Sequence, residues 1–158
     1  MLRMATEIER KFLLDELPAT LRFARGEQIR QGYLALDGDT EVRLRTGSKP
    51  PRLTIKSGRG AVRTEVELPV DGRDAPALWE LTEGRRVEKT RRRMRIDGAE
   101  AEVDEYGGGL QGLVVVEVEF DDEQSARGFD PPAWFGRELT GEPAYANRTL
   151  ACEGLPPA

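Results

Sequence analysis

The chain has 158 residues, a net charge of -5 and no histidine. Its length predicts one domain, 1–158, with a real core. The acidic balance argues against a general nucleic-acid binder, and the missing histidine removes both the commonest general base and the usual zinc ligand.

The elements follow from alternation along the chain. A strand opens at Glu7-Ile8-Glu9-Arg10-Lys11, placing Glu7, Glu9 and Lys11 on one face and Ile8, Arg10 and Phe12 on the other. Asp15 to Arg25 fits a short helix. Gln28 to Leu36 is a strand, Asp37-Gly38-Asp39 a hairpin turn, and Thr40 to Thr46 the returning strand, with Arg43 and Arg45 in step. Arg52 to Lys56 is the next strand, Gly58-Arg59-Gly60 a turn, and Ala61 to Leu68 a strand carrying Glu65 and Glu67. Asp74 to Glu83 is predicted as a helix capped by Asp74 and ended by Gly84. Arg85 to Ile96 is a long strand with Lys89, Arg91, Arg93 and Arg95 in step. Asp97-Gly98 turns it into Glu100 to Tyr106, which carries Glu102 and Asp104. Gly107-Gly108-Gly109 is a loop without the Lys and Ser or Thr of a P-loop. Leu113 to Phe120 carries Glu117 and Glu119. A helix over 123–128, a turn at Asp130-Pro131-Pro132 and a helix over 145–153 complete the chain.

About eight strands in mostly hairpin order predict a mainly β fold: an antiparallel sheet or closed barrel with a few outer helices. A charged strand face ordinarily meets solvent. Here seven strands share the pattern, and most of their opposite faces are apolar. If the sheet closes with helices packed on its apolar face, the charged face lines a wet interior. Carboxylates at Glu7, Glu9, Glu117 and Glu119 then come from strands that become neighbours. Such oxygens suit Mg²⁺ or Mn²⁺. Arginines and lysines on the other walls suit phosphate. The combination fits a compact polyanion chelated to a divalent cation.

The ordered series also resembles a known family. Glu7-x-Glu9-x-Lys11 is similar to the ExExK signature of the CYTH family, the triphosphate tunnel metalloenzymes, in its short bacterial form. The likeness continues through Gln31-Gly32-Tyr33-Leu34, Val42-Arg43-Leu44-Arg45, Leu53-Thr54-Ile55-Lys56, Thr64-Glu65-Val66-Glu67, Lys89-Thr90-Arg91, Glu102-Val103-Asp104, Val116-Glu117-Val118-Glu119 and the stretch 136–141. It implies an eight-stranded antiparallel tunnel that hydrolyses or cyclises triphosphates with a divalent metal. By this resemblance Glu7, Glu9, Glu117 and Glu119 hold metal, with Asp104 supporting it or its water. Arg43, Arg45, Lys56, Lys89 and Arg91 grip phosphate. Lys11 sits beside the scissile region, oriented by Tyr33, and Glu65 and Glu67 serve a second metal or position water. The chain departs from the family at Arg92, where an aromatic is common. It departs again at Ala144-Tyr145-Ala146, where a basic residue and an aromatic usually flank the tyrosine; Arg148 is the candidate substitute.

The leading expectation is a metal-dependent hydrolase of inorganic tripolyphosphate. The alternatives are a nucleoside or thiamine triphosphatase, an adenylate cyclase of the same family, and a polyphosphate-binding module without turnover. The single Cys152 excludes an internal disulfide and fits a reducing, cytoplasmic setting. It is expected to be a packing residue, as are Trp79 and Trp134. No apolar run approaches a membrane span and no signal peptide is expected, with Met4 an alternative start. The expected partner is a small polyanion, without nucleic acid or membrane. The sequence does not give oligomeric state; a homodimer is one option, because short barrels with an exposed edge often pair.

Overall fold

Stretches that alternate charged and apolar residues can bury one face and keep the other wet, and these stretches form the strands. The computed structural model describes residues 2–58 and 62–158. Among them lie β1 (Leu2–Thr6), β2 (Ile8–Leu14), β3 (Glu27–Asp37), β4 (Thr40–Gly47), β5 (Arg52–Ser57), β6 (Val62–Pro69), β7 (Arg86–Ile96), β8 (Ala99–Tyr106) and β9 (Val114–Phe120). All pair antiparallel in one sheet of order β1-β6-β5-β4-β3-β7-β8-β9-β2. The Asp97-Gly98 turn has positive φ at both central residues, 50° and 83°, the requirement of a tight two-residue hairpin. The turn expected at Gly58-Arg59-Gly60 lies outside the described residues beyond Gly58.

The opening strand is divided at Glu7. Its first part, β1, pairs with β6, and its second, β2, pairs with β9. The two edges of the sheet are therefore consecutive in the chain, joined through Glu7. The tunnel is completed by the backbone at this point rather than by a ladder between edges. The ninth strand, where eight were expected, is β1, which precedes the expected start at Glu7; Glu7 itself belongs to neither β1 nor β2. The outer edge of β2 is covered by 136–139: Leu13 N donates to Arg137 O at 2.9 Å, Gly136 N to Leu13 O at 2.8 Å and Leu139 N to Lys11 O at 2.7 Å. A side chain at Gly136 would meet Leu13 O at 2.7 Å, so only glycine permits this approach. Covering an edge in this way satisfies its backbone and removes a template for aggregation.

One helix, over 123–128, has the expected bounds, and the other expected helices are shorter. Helix α1 spans Ala75–Glu80, and Asp74 makes no capping hydrogen bond. Its φ and ψ of -89° and -24° are already helical, whereas a capping residue needs extended backbone. Helix α2 spans Glu123–Gly128, with the Asp122 carboxylate accepting from Ser125 N. The C-terminal helix splits into a 3-10 turn, Pro143–Tyr145, and α3, Asn147–Glu153, because Ala146 between them is extended. In 15–25 a single 3-10 turn, Ala19–Leu21, follows Pro18.

Apolar residues fill two regions. Outside the sheet, Phe12, Val103, Val116 and Val118 pack with Phe129, just beyond α2. On the inward face, Tyr33, Val87, Tyr106, Val115, Leu139 and Leu150 of α3 close one end of the bore. Trp79 is buried between the guanidinium groups of Arg30 and Arg86, 4.4 and 4.5 Å from its ring centre. Cys152 and Trp134, expected to pack, are exposed. Cys152 falls on the outer side of the short α3, whose buried residues are Leu150 and Ala151. Among the described residues no helix is long and apolar enough to cross a membrane.

Candidate active site: a charged bore with one dry end

Antiparallel register brings the charged positions into rows. Glu9 pairs with Glu119 and Lys11 with Glu117 across β2 and β9. Glu102 pairs with Glu117 and Glu100 with Glu119 across β8 and β9. Arg91 pairs with Asp104 across β7 and β8. The rows enclose a cavity of about 820 Å³. Glu7, Glu9, Lys11, Tyr33, Arg43, Arg45, Lys56, Glu65, Glu67, Arg91, Glu117 and Glu119 all line it.

Depth along each strand changes what a charge does. Going outward on β7, side-chain exposure runs from 0% at Lys89 through 10% at Arg91 and 47% at Arg93 to 67% at Arg95. Lys89 and Asp104, both expected in the site, lie behind the cavity wall. Lys89 Nζ donates to Asp104 Oδ2 at 2.6 Å. Arg91 grips the same carboxylate with two bonds of 2.7 Å, through Nε and Nη2. Both Asp104 oxygens are thus occupied, and the carboxylate serves as a pillar beneath Arg91. Burial opposes its charge, but Lys89 and Arg91 prevail and hold the Asp104 carboxyl well below the usual range. Arg91 also pairs with Glu102, a wall residue that strand alternation marks only as part of an acidic set.

The acidic wall is crowded. Enclosure by the bore, then Glu117 and Glu7, pushes the Glu9 carboxyl up to about 7. Burial, Glu102 and Glu7 raise Glu119 in the same sense. Burial would raise Glu117 as well, but Lys11 and Lys89 hold it below its ordinary value. Lys11 Nζ lies 3.3 Å from Glu117 Oε1 and donates to Tyr145 O at 2.9 Å. Lys56 stands between Glu65 at 3.3 Å and Glu7 at 3.6 Å.

The basic wall concentrates guanidinium groups, with Glu41 3.5 Å from Arg43 Nη1. Burial, with the guanidinium groups of Arg43, Arg91 and Arg52, pushes Arg45 down to about 10. Arg43 Nε is buried with no hydrogen-bond partner. A buried donor left unmet is costly unless a ligand meets it. The Arg45 Nε and Nη2 groups donate to Gln31 Oε1 at 3.1 and 2.9 Å. Gln31 lies in one of the family-like stretches but is no candidate by sequence, because an uncharged amide among arginines carries no charge signal. Arg148, which lines the cavity, donates from Nη1 to Gly38 O at 3.0 Å, tying the start of α3 to the β3–β4 turn.

A tunnel-shaped β sheet with an acidic wall facing arginines and lysines defines a class of polyanion-handling barrel. The family model described as the CYTH domain matches residues 5–140, and the chain belongs to this family. It is 45% identical over 148 residues to an inorganic triphosphatase of Nitrosomonas europaea, covering 92% of this chain and 97% of that one. It is 39% identical over 150 residues to an inorganic triphosphatase of Acetivibrio thermocellus, covering 93% and 94%. A solved crystal structure of an inorganic triphosphatase superposes with a TM-score of 0.77 at 41% identity, covering 98% of this chain and 99% of that one. A Pyrococcus horikoshii protein shares the fold, with a TM-score of 0.53 at 18% identity over 77% of this chain and 83% of that one.

Proposed function

We propose that this protein is a divalent-cation-dependent hydrolase of inorganic tripolyphosphate. One observation carries the reading: carboxylates on β2 and β9 face guanidinium groups on β4 and β7 across one cavity, and Arg43 on β4 keeps a buried donor unmet. The similarity to two inorganic triphosphatases along nearly their whole length supports the choice of substrate.

The donor set fits Mg²⁺ or Mn²⁺. Glu7, Glu9, Glu117 and Glu119 supply hard oxygens, and their mutual repulsion is what a cation relieves. Among the described residues no three carboxylates form a ready-made cluster. Mg²⁺ commonly takes one or two carboxylates and completes its shell with waters and substrate phosphates. When bound, the cation neutralises phosphate oxygens and acidifies water.

The remaining work falls to the chain. Arg43, Arg45, Lys56 and Arg91 hold phosphoryl oxygens, Arg through its fork and Lys as a point charge. Asp104 and Lys89 fix Arg91 from behind. Lys11, braced by Glu117 and the Tyr145 carbonyl, brings a compact cation to the acidic wall, where it stabilises charge on the scissile oxygen. Tyr33 is the second catalytic candidate. Glu65 and Glu67 serve a second cation or position water.

Phosphate release from tripolyphosphate is expected with Mg²⁺ or Mn²⁺, and is expected to vanish in chelator and in Glu9→Ala. The same assay on ATP and thiamine triphosphate is expected to be slower. Full activity in excess chelator, or pyrophosphate as the main product from ATP, would refute the assignment.

A further inference from the structure

Gln31 is fully buried and sits between two groups of the cavity wall. Its Oε1 accepts two bonds from Arg45, and its Nε2 donates to the Tyr33 hydroxyl oxygen at 3.0 Å. A guanidinium has donors only, so Arg45 fixes which end of the amide faces it. The NH₂ end must then face Tyr33. The phenol oxygen is thereby held as an acceptor, and its own proton must point elsewhere. The nearby Arg43 has no acceptor to offer. The Glu41 carboxylate also acts on the phenol but pairs with Arg43 at 3.5 Å, and among the described residues no hydrogen bond runs from the Tyr33 hydroxyl to a protein oxygen. Burial also favours the protonated phenol. A β-bulge beside Tyr33, where the register with β4 shifts, fixes the backbone at this point.

We infer that Gln31 is a positioning residue that sets hydrogen-bond polarity: it holds Tyr33 as a proton-bearing donor aimed at a phosphoryl oxygen in the bore. Arg45 orients Gln31, Gln31 orients the hydroxyl, and the hydroxyl donates to the substrate. Tyr33 then acts by stabilising charge on oxygen, not by removing a proton from water. The inference rests on the triphosphatase reading above.

Gln31→Glu isolates this role. A carboxylate keeps the acceptor for Arg45 but cannot donate to Tyr33. The phenol proton would turn back toward the carboxylate and leave the bore. The kcat on tripolyphosphate with Mg²⁺ should fall on the order of 10- to 100-fold, the value of one hydrogen bond to a charged group, and Tyr33→Phe should match it. The added charge should raise KM. In the Tyr33→Phe background, Gln31→Glu should still raise KM yet leave kcat unchanged, since no hydroxyl remains to turn. Gln31→Met removes the amide without adding charge and frees the hydroxyl without reversing it. Its kcat should lie between wild type and Tyr33→Phe and fall no further when combined with Tyr33→Phe, which keeps the inference testable even if the glutamate variant does not fold; a kcat loss from Gln31→Met that persists in full in the Tyr33→Phe background would overturn it.

An equal kcat loss from Gln31→Glu in both backgrounds would overturn the inference, as would full kcat in Tyr33→Phe. A wild-type protein inactive on tripolyphosphate would instead refute the functional reading.

Discussion

The two ends of the bore are built from the same strands but differ in character. At the dry end the inward positions are Tyr106 and Val115, then Lys89 and Asp104 locked together without solvent. Two residues further along each strand, Arg91, Glu102 and Glu117 face the cavity. Two more bring Arg93 and Glu100 to exposed positions. One alternation thus yields a support, a ligand surface and a solvated rim. What separates them is solvent access: a buried pair without its partner leaves an uncompensated charge, while a rim pair leaves two hydrated ones.

Paired substitutions at the two ends can break this contrast. The largest effect is expected for Asp104→Ala, which strands Lys89 and Arg91 and should cost about 3–5 kcal/mol in denaturant unfolding at pH 7. A loss below about 1 kcal/mol would mean that water reaches the pair. The pH dependence sharpens the point. Because the folded Asp104 carboxyl titrates below its unfolded value, its stabilisation is present above about pH 4 and declines as the pH falls further. Unfolding free energies of wild type and Asp104→Asn should therefore converge between about pH 4 and the lowest pH at which the fold survives. In the cavity, Glu9→Ala should abolish metal-dependent turnover but leave thermal stability unchanged or higher, since it removes a crowded carboxylate. The smallest effect is expected at the rim. Arg95→Ala breaks an exposed pair with Glu100 at 2.8 Å and should change stability by less than about 1 kcal/mol, with activity intact.

The same contrast explains what the sequence could disclose. Period-2 charge identified the inward face, because apolar partners alternate with it on nearly every strand. It also brought Glu7, Glu9, Glu117 and Glu119 onto neighbouring strands once closure was assumed. Depth was not legible from alternation: Lys89 and Arg91 are in step and both read as phosphate ligands, although the fold makes one a pillar and the other a wall residue. Asp104 therefore read as a metal group and Glu102 only as part of a pattern. Gln31 escaped notice because its role depends on which atoms its neighbours present, and no spacing encodes that. The strand ahead of Glu7 was not read, because the charge alternation starts at Glu7, the residue that separates β1 from β2.

That break has a mechanical meaning. One residue connects the first and last staves of the tube, so its girth is set there by covalent length rather than by ladder bonds that could slip. The carboxylate of the same residue lies 3.6 Å from Lys56 on the opposite side of the seam. Lengthening the chain between Thr6 and Ile8 would loosen the hoop and move an acidic group out of the bore in a single stroke.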